Sequence, residues 1–145
     1  MIVRTILKSK SSGDIATIVP GQKVGDAAKL LDQWRIGALV VVDDQRALAG
    51  ILSERDIVRG LSRHGSTVLD MKVAELMTAN VLTCTPEESI EDVMATMTAN
   101  RIRHLPVLEG GRLAGIITIG DVVKARLEET ALQVDSLREY VMSAH

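Results

Sequence analysis

The stretch "GILSERDIV" (residues 50–58) is answered sixty-five residues later by "GIITIGDVV" (residues 115–123). Gly50 pairs with Gly115, Ile51 with Ile116, Ser53 with Thr118, Asp56 with Asp121 and Val58 with Val123. A hydrophobic pattern alone does not hold a Gly, a hydroxyl residue and an Asp at matching offsets, so the chain carries an internal repeat. Upstream the match continues with the offset larger by one. "IATIVPGQKV" from Ile15 lies over "VLTCTPEESI" from Val81, with Pro20 over Pro86, Asp26 over Asp92, Ile36 over Ile102 and Val41 over Val107. The extra residue falls between "VVVDDQRALAG" and "LPVLEGGRLAG", at a polar turn between two apolar runs, where length changes are best tolerated.

Each copy predicts the same elements. Residues 15–19 and 81–85 read as short extended runs, stopped by Pro20 and Pro86. Val24, Ala27, Ala28 and Leu31 recur at helical spacing, as do Ile90, Val93, Met94 and Met97. Residues 38–42 and 48–53 form one hairpin, and residues 104–108 and 112–118 its counterpart. A closing helix follows from Glu54 to about Arg63, and from about Ile119 onward in the second copy. The unit is strand–helix–strand–strand–helix, an α/β (α+β) pattern. Its runs "VVVDD" and "LAGIL" are too continuously apolar for a sheet with one wet face. A lead-in repeats as well: "VRTIL" at Val3 resembles "VAELM" at Val73, with about four extra residues after the first, in "KSKSSGD". The expected division is 1–65, a linker at 66–70, 71–127, and a helical extension at 128–145. The helix running on beyond Lys124 carries a stripe of Leu127, Ala131, Val134, Leu137 and Val141, which packs back on the body or meets a second chain.

Composition excludes several classes. The chain is 46% hydrophobic with one Trp, one Tyr and no Phe, so its core is aliphatic. A net charge of −2 provides no general attraction to nucleic acid or anionic lipid. The scarcity of aromatics removes a base-stacking platform, and no nucleic-acid partner is expected. One Cys and three scattered His make neither an intramolecular disulfide nor a zinc site. No apolar run reaches membrane-spanning length, and a cytoplasmic protein is expected.

Paired units with "LPV", a Gly-containing hairpin and "GIhT/SxxDhh" (h, hydrophobic) resemble the CBS domain. Two in tandem resemble a Bateman module, here two pseudo-symmetric β-α-β-β-α CBS motifs plus a C-terminal helix, similar to small stand-alone bacterial proteins. The resemblance implies clefts between the motifs that take adenosine-containing ligands such as AMP, ATP or NAD(H). It also implies a homodimer of modules and a regulated protein partner of unknown identity.

The residues at the matching positions suit that chemistry. Asp56 and Asp121 each follow a hydroxyl residue, Ser53 or Thr118, by three positions at a strand-to-helix junction. A carboxylate there can accept bonds from both hydroxyls of a ribose; the alternative is a plain helix cap. Arg103 and His104 precede "LPV" and offer a cationic pair to phosphate, and the resemblance directs them to the ligand held by Asp56. Their counterparts, Gly37 and Ala38, are uncharged, so the halves are not equivalent. Arg55 could fringe the cleft around Asp121; the alternative is an exposed helix charge. Asp14 ends "KSKSSGD", a basic Ser/Gly segment at the place where family members touch adenine through backbone; it could cradle a pyrophosphate, and a solvated loop is the alternative. Ile15, Ile36, Met77, Val81 and Ile102 are the candidates to sandwich the base.

No P-loop, G-x-G-x-x-G or H-E-x-x-H occurs, no metal is expected, and no catalytic residue stands out. The expected function is a regulatory module that binds an adenine nucleotide, AMP first because one phosphate suits one Arg–His pair. A ligand-free structural dimerisation adaptor is the rival. A small enzyme or a nucleic-acid-binding protein is the third reading.

Overall fold

The computed structural model describes residues 1–10 and 15–143. Its elements are α1 (Val3–Ser9), β1 (Thr17–Ile18), α2 (Val24–Trp34), β2 (Ala38–Val42), β3 (Leu48–Ser53), α3 (Glu54–His64), α4 (Val73–Leu76), α5 (Ile90–Asn100), β4 (His104–Glu109), β5 (Arg112–Thr118) and α6 (Ile119–Ser143). They form two compact units. One comprises Asp14–Leu82 with Gly110–Leu113; the other comprises Met1–Gly13, Thr83–Glu109 and Ala114–His145.

In the first of these units, β2 is buried along its whole length between parallel β1 and antiparallel β3. That is why "ALVVV" has no polar alternation. Helix α2 covers the sheet with Val24, Ala27 and Leu31, which share one face at a 3.6-residue period. The helix ends on Arg35, whose left-handed backbone (φ 52°) returns its N–H to Leu31 and Asp32.

The other unit repeats this device. Helix α5 buries Ile90, Val93 and Met97 and ends on Arg101, also at φ 52°. The one-residue offset is visible in the turns. Gly110 and Gly111, both at positive φ, join β4 to β5. The other hairpin needs a longer loop, in which Asp43 Oδ1 accepts the N–H groups of Gln45 and Ala47 at 2.9 Å.

The extended runs expected at 15–19 and 81–85 are shorter in the fold. One is the two-residue β1; the other is a single parallel bridge between Cys84 and Val107. Pro20 and Pro86 carry no N–H, which ends the ladders, and Val19, Leu82 and Thr83 are left exposed. The expected linker at 66–70 is also different. It forms a 3₁₀ turn, Gly65–Asp70, and Val68 is fully buried in the core with Leu39 and Ile57. Burial of Val68 holds the turn, together with backbone bonds from the Met71 N–H to the Val68 carbonyl at 3.1 Å and from the Val24 N–H to the Met71 carbonyl at 2.9 Å.

The lead-ins pack in a way the repeat does not announce. Helix α1 puts Val3 and Ile6 in the core with Ile90, Leu105 and Val122, residues of the second copy. Its Val3 and Arg4 N–H groups bond to Glu88 and Pro86 carbonyls at 2.9 and 2.8 Å. Helix α4 makes the same pair of bonds to Gln22 and Pro20, residues of the first copy, at 2.8 and 3.0 Å. Each lead-in therefore completes the unit built from the other copy's sheet and helix.

This explains the repeated Gly. A Cβ on Gly50 would lie 2.7 Å from both Met77 Sδ and the Thr78 carbonyl oxygen; one on Gly115 would lie 2.7 Å from Leu7 Cδ2. Gly50→Ala is expected to cost about 1–3 kcal/mol, because a backbone oxygen must move. Gly115→Ala is expected to cost less, because a leucine methyl can turn aside. Urea unfolding of the two variants checks the order.

Candidate functional site: two capped strand-to-helix junctions

The repeated hydroxyl–acid pair forms the same local structure in both units. Ser53 is the N-cap of α3: its Oγ accepts the Asp56 N–H at 3.2 Å, and Asp56 Oδ2 accepts the Ser53 N–H at 2.9 Å. Thr118 and Asp121 repeat this at α6, with bonds of 3.1 and 3.0 Å. Both pairs are capping boxes, which fix the carboxylate at the start of the helix and satisfy two end N–H groups. Capping and ligand binding are compatible, since a carboxylate has about four acceptor positions and the box uses few of them.

The neighbouring strand start is fixed in parallel fashion. The Glu54 N–H bonds to the Gly37 carbonyl at 2.9 Å, and the Ile119 N–H bonds to the Arg103 carbonyl at 2.9 Å. Ile36, Gly37 and Ala38 thereby lie beside Ser53 and Asp56, with Ala38 paired to Ser53 in the sheet. Ile102, Arg103 and His104 lie beside Thr118 and Asp121. Arg103 is exposed, and His104 is half-buried at the start of β4 and engaged within the chain. Arg55 is exposed on α3 and likewise engaged. Ile36 and Met77 pack against one core and Ile102 against the other, each half-buried; Ile15 and Val81 are half-buried too. Asp14 lies outside the described residues.

One participant, Lys10, lies in "KSKSSGD", a segment that the sequence marked without picking out this residue. Lys10 Nζ donates to Asp121 Oδ2 and to the Ile116 carbonyl, both at 2.9 Å. Burial by itself raises the Asp121 pKa, but the Lys10 ammonium and the bonds from Thr118 outweigh it and hold the carboxyl below its ordinary value of 3.8. The depressed value sets the sign. The pair stabilises the fold above the unfolded carboxyl's pKa, and that stability is lost as pH falls through the lower folded value. Urea midpoints taken as pH drops below 3.8 are therefore expected to fall more steeply in the native chain than in Lys10→Met. Equal slopes would show that Lys10 is not what depresses Asp121.

Cys84 is buried, and desolvation, with Glu88 nearby, pushes its thiol up to about 12, which leaves no thiolate nucleophile at neutral pH. Among the described residues no cluster of His, Cys, Asp and Glu is placed to hold a metal ion, and no helix is long and apolar enough to cross a membrane.

The CBS domain model matches residues 3–63 and 73–128, the two copies with their lead-ins. The chain belongs to the CBS domain family. It is a tandem CBS pair, or Bateman module, of the kind that serves as a regulatory ligand-binding unit. A mitochondrial CBS domain-containing protein of Arabidopsis thaliana is 36% identical over 150 residues, covering 99% of this chain and 73% of that protein. The crystal structure of a CBS-domain containing protein from Agrobacterium tumefaciens matches with a TM-score of 0.83 at 42% identity, over 86% of this chain and 92% of that one. The CBS domain pair of protein MJ0100, solved in complex with 5′-methylthioadenosine and S-adenosyl-L-methionine, matches with a TM-score of 0.78 at 28% identity, over 89% and 98%.

Proposed function

We propose that this CBS pair is a sensor of adenine nucleotides, with AMP as its preferred ligand, that relays energy state to a protein partner. Such a regulator would act in the cytoplasm; ATP and NAD(H) are the alternative ligands. The observation that carries the reading is the pair of capped junctions, each presenting a fixed carboxylate beside a hydroxyl. In this reading Asp56 and Asp121 take ribose hydroxyls, with Ser53 and Thr118 beside them. Arg103 and His104 take phosphate, and Ile15, Ile36, Met77, Val81 and Ile102 face the base. Gly37 and Ala38 line the uncharged counterpart of the phosphate contact, with Arg55 at its edge and Asp14 contributing from the lead-in. The adenosine ligands of the MJ0100 pair support the ligand class.

Native mass spectrometry of freshly purified protein, with melting curves in added AMP, tests the proposal. A co-purified adenine nucleotide, or a melting temperature that rises with AMP, is expected. No bound mass and no shift with AMP, ATP or NAD(H) would leave the structural adaptor as the better reading.

Self-association is the second part of the proposal, and helix α6 supports it. From Leu127 on, nearly every residue of α6 is exposed, Leu127 at 66% and Leu137 at 63%. Gly120, Val123, Leu127, Thr130, Val134, Leu137 and Val141 follow one another at alternating spacings of three and four. That 3.5-residue period matches another helix of the same period, and α6 of a second copy supplies it. An apolar hollow of about 540 Å³ runs along this stripe past Gly120, Val123 and Leu127. Charge selects the direction. An antiparallel pair would set Lys124 beside Arg138 of the other copy, whereas a parallel pair sets Arg126 beside Ala131 and Gln133 beside Arg138. A sedimenting dimer is expected for the native chain, and Leu137→Glu, which buries a charge in the seam, is expected to give monomer. A native monomer at high micromolar concentration would remove the claim.

A further inference from the structure

The two capped junctions differ in what reaches them from the lead-in helix. Up to Leu7 and Met77 the lead-ins are equivalent, since each lies against the repeated Gly of its unit. Beyond that point they diverge. Thr78 exchanges two backbone bonds with Ile51, at 3.0 and 2.9 Å. At Ile116, the counterpart of Ile51, the carbonyl takes the Lys10 ammonium instead, and the same ammonium reaches Asp121. The extra residues of "KSKSSGD" thus coincide with a change from a backbone bridge to a side-chain cation beside the second ribose-type carboxylate.

We infer that Lys10 sets the ligand preference of the Asp121 site, opposing unphosphorylated adenosine and favouring phosphorylated forms. This rests on the nucleotide-binding reading above. Lys10 and the Thr118 N–H both converge on Oδ2 of Asp121, so that oxygen already holds two donors. A ribose hydroxyl that bonds there must displace or share the ammonium, and displacement breaks a charge-assisted bond of 2.9 Å. A neutral nucleoside returns nothing to the released cation. A nucleotide returns a phosphate, a compact anion suited to an ammonium, whose three donors rotate freely on a four-carbon stem. Lys10 is 30% exposed, which leaves the stem room to swing from carboxylate to phosphate. Ile51, held by the Thr78 backbone, provides no such exchange on the other side.

The test uses the full chain carrying Asp56→Asn, so that binding reports mainly on Asp121, with AMP and adenosine as probes in calorimetry. Adding Lys10→Met is expected to tighten adenosine and weaken AMP, lowering the ratio of their affinities about tenfold. A ratio that stays the same, whether both affinities hold or both fall together, overturns the role of Lys10. Asp121→Asn in the same background separates the two levels of the argument. If it abolishes binding while Lys10→Met leaves the ratio alone, only the Lys10 inference fails. If Asp121→Asn changes neither affinity, the site reading fails and the inference falls with it.

Discussion

Replacing Arg103 with Gly and His104 with Ala is expected to remove most of the preference for AMP over adenosine at the Asp56 site. The double substitution writes Gly37 and Ala38 of the first copy onto the second. The backbone at this point depends on the carbonyl before the strand, which accepts the Ile119 N–H at 2.9 Å as the Gly37 carbonyl accepts the Glu54 N–H. That bond needs neither side chain, so the fold is expected to survive. Hydrogen bonds to a charged group contribute about 1.5–3 kcal/mol each, and losing two lowers AMP affinity roughly a hundredfold or more. Adenosine has no phosphate and is expected to bind almost as before. Calorimetry with both ligands on both proteins reads the difference directly. If the AMP preference survives at that site, the phosphate is held elsewhere, and the "KSKSSGD" segment with Lys10, or Arg55, is the next to replace.

Asp56→Ala combines a binding loss with a stability loss, because the carboxylate that would meet ribose also closes the capping box. Loss of the charge-assisted bonds is expected to weaken adenosine and AMP alike by about ten- to a hundredfold at that site. Loss of the box is expected to cost about 0.5–2 kcal/mol of stability, seen as a lower urea midpoint. Asp56→Asn separates the effects. Its amide oxygen still accepts the Ser53 N–H, so stability is largely retained, while the charge offered to ribose is gone. Native affinity in the Asn variant would make Asp56 a helix cap and nothing more.

Much of this architecture was legible because it rests on local rules. Apolar residues at positions 24, 27 and 31, and again at 90, 93 and 97, place α2 and α5 before any contact is known. The hairpins follow from uninterrupted apolar runs on either side of Gly- or Asp-containing turns, and the one-residue offset pointed to the turn that absorbs it. Ser53, Asp56, Thr118 and Asp121 stood out because the repeat kept their types and spacing, which also predicts the cap that forms.

The sequence by itself determined the repeat, the element order, the aliphatic core and the four hydroxyl and acid positions, since each depends on neighbours within a few residues. Tertiary structure decided the rest. A Gly at 50 and 115 is visible in the chain, but its cause is a lead-in helix lying within 2.7 Å of where a Cβ would stand. Val3 is buried with Ile90, Leu105 and Val122 of the second copy, and Val73 with Ile18, Val24 and Leu39 of the first, so which core receives which lead-in depends on partners far along the chain. Val68 looked like part of a linker until its pocket was known, because burial is a property of the surroundings and not of the segment. The Lys10–Asp121 pair spans 111 positions and leaves no periodic trace. Only folding brings that ammonium within 2.9 Å of the carboxylate, and only at that range does it hold the Asp121 carboxyl below its ordinary value.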